Sequence, residues 1–423
     1  MNTRSTDVIS LRRDFHAHPE VGFTEFRTAS IVVGVLSSLG YKTIYGQEAL
    51  EGSVRKGVPA AEDLETAYER ALRSGADPEI ISKMKGGYTA VIGLLQGRQP
   101  GPTLAFRFDM DALPVAESTK EDHVPNAEGF ASRYSGLMHA CGHDGHTAIG
   151  LALAEKLAHG QFAGTIKLVF QPAEEGVRGA EAIVSKGWLD DVDYLFCQHL
   201  ATDAVTGQLF AGALGFLATT KLTAHFKGVS SHAGAAPELG RNALLGAATA
   251  LLNIHAIPRN SKGQTYLNVG VLQGGTAANI VPEYAKLVIE CRSDSMEINS
   301  DLESRIRTIT QHSAGMHGLT CEIEVTGAAI PIECDGEAVL IVAEEAARLK
   351  GFTSIAERAV VAIGSEDAGF MMRRVQELGG KSTYMIIGSD RPAAHHHPEF
   401  DIDEASLPLA VELLVGIAGR LLV

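Results

Sequence analysis

The order of the predicted helices and strands changes near Gly215, and this change restricts the possible folds more than any other feature of the chain. Before it, apolar strand-like runs end at Phe108, Phe170 and Cys197 and alternate with helical segments. That alternation is typical of an α/β layer with a largely parallel sheet. From about 219 to 325 the predicted order is strand, helix, strand, strand, helix, strand, which is the order of a ferredoxin-like unit. The sequence therefore predicts two kinds of folding unit in one chain.

The pattern of the first unit returns after Pro331, so both ends of the chain are predicted to build it. We expect the α/β domain at 1–214 and 330–423, with the smaller βαββαβ domain inserted at 215–329. The length of 423 residues supports this division, since a single hydrophobic core seldom serves so long a chain. Residues from about 45 to 87 are predicted to form a helical hairpin between two strands of the first domain.

Composition and charge exclude several classes of protein. The apolar spacing of residues 5–39 predicts helices that serve as scaffold. No apolar signal segment precedes the charged residues near the start of the chain, so we expect the cytoplasm as the compartment. No apolar run approaches the roughly 18 residues that span a bilayer, and we expect no membrane partner. A formal net charge of −15 argues against a nucleic-acid partner. Five cysteines at irregular spacing do not predict a disulfide framework.

One stretch, residues 139–146, holds several side chains that can bind a metal ion. Cys141 and His143 stand two residues apart with a glycine between them, and a tight backbone there can aim both side chains at one point. A polar loop with a buried thiol is the plain alternative. Another alternative makes Cys141 a nucleophile that His143 or His146 activates, although the glycine spacing suits chelation better.

A second stretch, residues 171–176, follows directly after an apolar strand and contains the adjacent carboxylates of Glu174 and Glu175. Two carboxylates buried side by side need positive charge nearby. A pair of divalent cations would supply that charge, leaving one glutamate as a ligand and the other for proton transfer. An exposed turn is the plain alternative.

Further candidate ligands and their partners stand near other strand ends. His199 follows the strand that ends at Cys197, and three consecutive histidines occupy 395–397, within which spacing alone makes no choice. With the thiol and the carboxylates, these imidazoles favour Zn or Mn over Mg or Ca. Asp109 and Asp111 follow another strand end and are natural partners that fix the tautomer of a ligating histidine. A turn or a helix cap is an equally compatible role for either aspartate.

In this order, the motifs resemble those of the amidohydrolase branch of the di-metal aminoacylase and carboxypeptidase superfamily, over essentially the whole chain. The matching stretches are residues 107–114, 141–143, 171–176 and 231–234. The resemblance implies a di-metal exopeptidase-like catalytic domain, with the inserted ferredoxin-like domain as a lid and dimerisation domain. It also implies a small N-acyl amino acid as the substrate, with p-aminobenzoyl-glutamate as the expected one.

By the same resemblance, two divalent metal ions, Mn or Zn, would be held by Cys141, His143, Glu175, His199 and His396. His396 is chosen because the family's histidine lies four residues before the phenylalanine that Phe400 matches. Glu174 would be the general base, and His232 would complete the oxyanion hole from a partner subunit. That partner would be a second copy of the chain, in a homodimer, or a related second subunit, in a hetero-oligomer. Asn279 would bind a substrate carboxylate.

Several interpretations stay open at this point. Arg292 is a second candidate for a substrate carboxylate, but an ion pair with Glu290 or Asp294 is equally compatible. His232 could instead cap the turn at Gly234. A broader aminoacylase or a dipeptidase would carry the same motifs. A catalytically silent chain that supports a related subunit is a further alternative, against which the retained ligands and general base argue.

Overall fold

The computed structural model describes residues 7–361 and 364–423, which divide into two compact units. The first unit takes both ends of the chain, and the second comprises Phe216–Pro331 together with residues 364–366. The predicted helix start at Ser5 lies outside the described residues. Across the described ranges, no helix combines the length and the apolar character that crossing a bilayer requires.

The chain enters the first unit through helices and then builds most of the main sheet. The helices are α1 (Val8–His16), α2 (Phe26–Ser38), α3 (Ala61–Arg73), α4 (Pro78–Ser82), α5 (Val124–Ala127), α6 (His143–Leu157) and α7 (Ala180–Val184). The strands are β1 (Lys42–Tyr45), β2 (Val91–Gln96), β3 (Gln99–Asp109), β4 (Ala163–Gln171), β5 (Tyr194–Leu200), β6 (Gln208–Phe210) and β7 (Ala213–Leu214). The N-terminal helical run is interrupted after His16, because Pro19 disfavours helical backbone at the residue before it.

Helices α3 and α4 form the insertion between β1 and β2, where the sequence predicts a helical hairpin. In α3, Leu64, Ala67 and Ala71 are buried along one face and charged residues cover the other. Helix α4 begins where the carboxylate of Asp77 accepts the N–H groups of Glu79 and Ile80. Sequence patterning therefore accounts for both helices.

The second unit has the order strand, helix, strand, strand, helix, strand. Its elements are β8 (Ala218–Lys227), α8 (Ala243–His255), β9 (Thr265–Gly274), β10 (Tyr284–Ser293), α9 (Met296–Met316) and β11 (Thr320–Ala329). The strands form an antiparallel sheet in the order β11-β8-β10-β9. Alternate residues of β8, namely Leu222, Ala224 and Phe226, are fully buried in the core that this unit builds for itself.

The remaining elements complete the first unit. They are α10 (Gly336–Arg348), β12 (Ser354–Ala356), β13 (Ala359–Val360), α11 (Ala368–Glu377), β14 (Lys381–Ile387) and α12 (Ser406–Leu421). The main sheet has the order β1-β2-β4-β3-β5-β14-β6-β12. Its centre, β4-β3-β5-β14, is parallel, whereas β1-β2-β4 and β14-β6 pair antiparallel. The predicted α/β class is confirmed, with a parallel centre rather than a parallel sheet throughout.

Helix α6 lies directly on the parallel centre of the sheet, and its position depends on a glycine. A Cβ atom at Gly150 would lie 2.7 Å from the ring of Phe108 and 2.8 Å from that of Phe170. Those distances are shorter than van der Waals contact, so only glycine allows the helix to approach the two rings this closely. Helices α1 and α12 also pack against α6. The start of α6 at His143 is thereby fixed relative to the ends of the strands.

Candidate metal centre

The candidate site lies where the parallel strands of the main sheet end. Strands β3, β4 and β5 are parallel neighbours, and they end at Asp109, Gln171 and Leu200. Carboxyl ends of parallel strands meet at one edge of a sheet, which is the usual ligand-binding edge in α/β folds. The polar segments that follow these strands therefore come together.

Overlapping groups of possible metal ligands lie at this edge. The ligand atoms of Cys141, His143 and His199 lie within 4.8 Å of one another. The same limit holds for Cys141, Glu175 and His396, and for His143 with Glu174 and Glu175. Cys141 belongs to two of these groups, so the groups adjoin. The first unit thus brings together the five predicted ligands and the predicted base.

His143 stands in the first turn of α6 and is oriented by the main chain. The preceding Gly142 has a φ of 94°, a left-handed conformation that favours glycine and directs the chain into the helix. The Nδ1 of His143 donates to the main-chain oxygen of Asp111 at 2.8 Å. Its buried Nε2 has no hydrogen-bond partner among the described residues and lies 3.9 Å from Oε2 of Glu174. A buried nitrogen in that condition fits a metal ligand.

His199 and Glu175 also present atoms suited to ligation. The Nδ1 of His199 lies 2.8 Å from the carbonyl of Leu200, and its Nε2 lies 3.5 Å from Sγ of Cys141. Burial, followed by the neighbouring His146, lowers the pKa of His199 well below its usual value and keeps the imidazole neutral, as a ligand must be. Within the described ranges, the buried Oε1 of Glu175 accepts no hydrogen bond.

The environment of Cys141 separates the metal hypothesis from the nucleophile hypothesis. Burial, and after it the negative charge of Glu175, raise the pKa of the Cys141 thiol well above its usual value. A cysteine nucleophile needs surroundings that lower this pKa. Divalent cations would provide the missing positive charge, so this environment fits Cys141 as a ligand better than as a nucleophile.

The structure distinguishes the three consecutive histidines. His396 has a φ of 66°, its N–H donates to the carbonyl of Ala140 at 2.7 Å, and its Nε2 lies 3.3 Å from Oε1 of Glu175. The Nδ1 of His395 contacts Arg391 instead, and Nδ1 of His397 accepts the N–H of Glu399 at 3.1 Å. The strained backbone at His396 is the kind of outlier that occurs at functional sites. Its ring is the one in the triplet that joins the ligand groups.

Asp109 and Asp111 both support the site. Asp111 orients His143 through its main-chain oxygen, while its carboxylate accepts the N–H groups of Glu174 and Glu175 at 2.9 Å each. The carboxylate of Asp109 contacts Nδ1 of His146. The Nε2 of His146 accepts the N–H of Leu200 at 2.9 Å, so this histidine is a support and not a ligand. Oδ1 of Asp111 also lies 3.4 Å from Nδ1 of His143, so the role of the two aspartates as partners of a ligating histidine stays a prediction.

Other buried groups hold the site and were not predicted. Arg12 is fully buried, and its Nε donates to Asp144 at 2.9 Å, which ties α1 to the first turn of α6. The carboxylate of Asp367 accepts the N–H groups of Gly179 and Ala180 at 2.9 Å each. The one sequence signal for Arg12 is a charged residue within an apolar helical pattern. Asp367 gives no local signal, because its partners lie far away in the chain.

The second unit carries the remaining predicted residues, on or near its surface. The Nδ1 of exposed His232 accepts the N–H groups of Gly234 and Ala235 at 3.1 Å each, so this side chain does cap its turn. The main chain of Asn279 accepts the N–H of Ala233 at 3.0 Å, which places the loops of His232 and Asn279 side by side.

Arg292, the other candidate for substrate binding, lies on strand β10 and not on those two loops. Its Nη2 donates to Oε1 of Glu290 at 2.9 Å. It lines a cavity of about 390 Å³ together with Arg259 and Asn268. Asp294 instead accepts the N–H of Gln264. Of the two ion pairs left open by the sequence, the one with Glu290 is present.

The chain is similar to known proteins over most of its length. The model of Peptidase family M20/M25/M40 matches residues 105–420. The chain is 46% identical to indole-3-acetyl-aspartic acid hydrolase of Enterobacter agglomerans, over 95% of this chain and 93% of that protein. It is 44% identical to a p-aminobenzoyl-glutamate hydrolase subunit of Escherichia coli, over 99% of this chain and 96% of that protein. The crystal structure of an aminobenzoyl-glutamate utilization protein from Klebsiella pneumoniae superposes with a TM-score of 0.85 at 40% identity, over 98% and 95%.

Proposed function

Because this chain belongs to Peptidase family M20/M25/M40 and is a metal-dependent amide hydrolase, we propose that it hydrolyses p-aminobenzoyl-glutamate to p-aminobenzoate and glutamate. The observation that carries the proposal is the meeting of two ligand groups at Cys141, with Glu174 beside them. A second candidate substrate is indole-3-acetyl-aspartate, which the 46% identical relative supports. Both compounds join an aromatic acyl group to an acidic amino acid, and this shared chemistry defines the proposed substrate class.

We propose that Cys141, His143, Glu175, His199 and His396 hold two divalent cations, Mn or Zn. A thiolate, imidazoles and a carboxylate are the donor types that these metals accept. The buried Nε2 of His143 and Oε1 of Glu175, which have no hydrogen-bond partners in the described part of the chain, support the assignment. When bound, the cations would supply Lewis acidity, which polarises an amide carbonyl and makes a water molecule more acidic.

Glu174 is the proposed proton carrier of the reaction. Its carboxylate is nine-tenths buried, and its main-chain N–H donates to Asp111, which holds the side chain at the edge of the ligand groups. From there Glu174 would remove a proton from the attacking water. It would then deliver that proton to the amide nitrogen as the C–N bond breaks. One carboxylate serves both steps because it returns to its starting state at the end.

His232 is proposed to donate a hydrogen bond to the developing oxyanion. Since its Nδ1 accepts two main-chain N–H groups, the proton of the neutral ring is on Nε2, the outward nitrogen. Asn279 and Arg292 are proposed to bind the carboxylates of the amino-acid part. Their amide and guanidinium groups are the donors that carboxylates require.

We further propose that His232 acts in a partner subunit, in a homodimer or with a related second chain. Helix α8 exposes Leu245 and Leu252, and the neighbouring strand β9 exposes Val271 and Leu272. Strand β9 pairs only with β10 in the described part of the sheet, so its other side is available to another chain. Exposed apolar side chains beside an unpaired strand are typical of an assembly surface.

Co-expression of two inactive variants tests the partner hypothesis. Glu174→Gln and His232→Ala chains are each expected to retain about 1% of wild-type turnover or less as separate homo-oligomers. In a mixed dimer, one site combines an intact Glu174 with an intact His232 of the partner, so about a quarter of wild-type activity is expected from random pairing. If both residues act within one chain, the turnover of the mixture stays at the low level of the separate variants, and that result would reject the partner hypothesis.

A substrate panel tests the main proposal. The purified chain, alone and with a related second subunit, is assayed on p-aminobenzoyl-glutamate, indole-3-acetyl-aspartate, N-acetyl and N-benzoyl amino acids, and dipeptides. We expect the highest kcat/KM for p-aminobenzoyl-glutamate, loss of turnover on chelation, and recovery with Mn or Zn. Equal rates across the panel would instead indicate a broad aminoacylase or dipeptidase. Activity that is indifferent to the chelator would reject the metal site.

A further inference from the structure

The turn that carries Glu174 and Glu175 has an unfavourable backbone. Ala173, directly before Glu174, has a φ of 53°, and Val177 has a φ of 60°. Side chains on non-glycine residues disfavour these left-handed conformations, so such residues persist only where their surroundings fix them.

Two buried carboxylates accept the main-chain N–H groups of this turn. Asp111 takes those of Glu174 and Glu175, as described above. Glu25 takes the N–H of Ala173 at 2.8 Å through its Oε1. The other carboxyl oxygen of Glu25 accepts the hydroxyl of Thr89 at 2.6 Å. Glu25 and Thr89 are both fully buried, so solvent does not compete for these hydrogen bonds.

Among the described residues, the hydrogen bonds of the Glu25 side chain to other residues go to Ala173 and Thr89. Glu25 stands at the start of α2 but makes no capping hydrogen bond to that helix. The capping is done by Glu20, whose carboxyl oxygens accept the N–H groups of Arg27 at 2.9 Å and Thr28 at 2.8 Å. Within one short segment, therefore, one buried glutamate serves the helix and the other serves the turn.

We propose that Glu25, held in place by Thr89, is a positioning residue that sets the direction of the Glu174 carboxylate by fixing Ala173. The inference rests on the proposed role of Glu174 as the general base. Thr89 follows the inserted helical hairpin directly, so the chain that leaves the insertion also supports the catalytic turn. A base must lie within hydrogen-bond reach of the proton it removes, so a small rotation of this turn reduces turnover.

Conservative and disruptive variants of Glu25 have different expected effects. In Glu25→Gln, the amide oxygen can still accept from Ala173 while the amide nitrogen donates to Thr89. Burial, and then the charge of Asp111, raise the pKa of Glu25 to about 8, so a neutral side chain is a close mimic. In Glu25→Ala, the N–H of Ala173 loses its partner and the strained turn is released.

The experiment compares Glu25→Ala, Glu25→Gln, Thr89→Val and Glu20→Ala in the full-length protein. For Glu25→Ala we expect kcat on p-aminobenzoyl-glutamate to fall about 10–100-fold, with KM and metal content nearly unchanged. Thr89→Val should fall between this variant and the wild type, and Glu25→Gln should stay within about threefold of wild type. Glu20→Ala is the matched control, expected to lower the melting temperature without lowering kcat.

Hydrogen exchange supplies a readout that needs no turnover. The amides of residues 173–178 should exchange faster in Glu25→Ala and Thr89→Val than in Glu20→Ala. Unchanged kcat and exchange in Thr89→Val would overturn the inference, even where Glu25→Ala fails to fold. Glu174→Gln, assayed in parallel, separates the two levels of the proposal. If it keeps turnover, the proposed base is wrong; if it is inactive while Glu25→Ala is fully active, only the positioning role is wrong.

Discussion

Apart from exposed His396, the candidate chemical groups of the first unit are more deeply buried than those of the second. In the first unit, Cys141, His143 and His199 are nine-tenths or more buried, and the rings are fixed by main-chain carbonyls. In the second unit, His232 and Asn279 lie exposed on neighbouring loops. One set is arranged by the folding of its own unit, and the other is displayed to the surroundings.

This difference shows where each kind of chemistry can operate. Metal binding and proton transfer need groups held rigidly in a medium of low dielectric constant, which the interior of the first unit provides. A hydrogen-bond donor in water stabilises a developing charge weakly, because water competes for that charge. In their proposed roles, His232 and Asn279 would therefore become effective only after another surface covers them. Variants of the first unit should change metal binding or the chemical step, and variants of the second should leave metal binding intact.

The largest expected effect is on turnover, from Glu174→Gln. The amide keeps the shape of the side chain but cannot accept a proton, so we expect kcat to fall by roughly 10³–10⁴-fold with both metals retained. Metal content by elemental analysis, measured beside kcat, tests the division of roles. Glu65→Gln, on the exposed face of α3, is the matched control and should behave as wild type.

Glu175→Ala should instead change metal content. Removal of a ligand is expected to weaken metal binding by more than the roughly 10–100-fold that loss of an outer-sphere partner costs. Turnover should then depend on the concentration of added Mn or Zn, unlike that of Glu174→Gln. Equal metal content in the two variants would contradict the assignment of one glutamate as ligand and the other as base.

Sequence patterning predicted the fold wherever the pattern was long enough to be distinctive. The apolar runs that became β3, β4 and β5, and the stripe that became α3, each extend over several residues. Strands β7 and β13 have two residues each, too few for any periodicity. Such short strands form because neighbouring strands offer hydrogen-bonding partners. A local sequence pattern does not reveal these partners.

The sequence predicts the proposed ligands more readily than the residues that support them. Local motifs predicted Cys141 as a ligand and left open which of Glu174 and Glu175 is the other, because metal-binding residue types cluster in the chain. Glu25 could not be found in this way, since it acts on Ala173 across 148 positions of sequence. The choice of His396 needed the family resemblance; in the structure, Arg391 and the main chain of Glu399 occupy the neighbouring histidines. Long-range hydrogen bonds are what the sequence pattern leaves undetermined.

His232→Ala tests the proposed role of an exposed residue of the second unit, and we expect an intermediate loss of turnover. Loss of one oxyanion donor is expected to lower kcat about 10²-fold, while metal content and melting temperature stay close to wild type. If His232→Ala also loses metal, the hypothesis that only the first unit holds the metal ions is contradicted. His225→Ala, which removes a half-buried histidine of the same unit, is the control and should retain full activity.

The smallest expected effect belongs to Arg292→Ala. Arg292 already pairs with Glu290 and is only partly buried. Binding of a substrate carboxylate would replace the Glu290 carboxylate, so the net gain in binding free energy is small. We expect KM for p-aminobenzoyl-glutamate to rise by less than about tenfold with kcat unchanged. Glu290→Gln, which releases the guanidinium, should lower KM if Arg292 binds the substrate. If neither variant changes KM, the ion pair with Glu290 is the whole role of Arg292, and carboxylate recognition rests on Asn279.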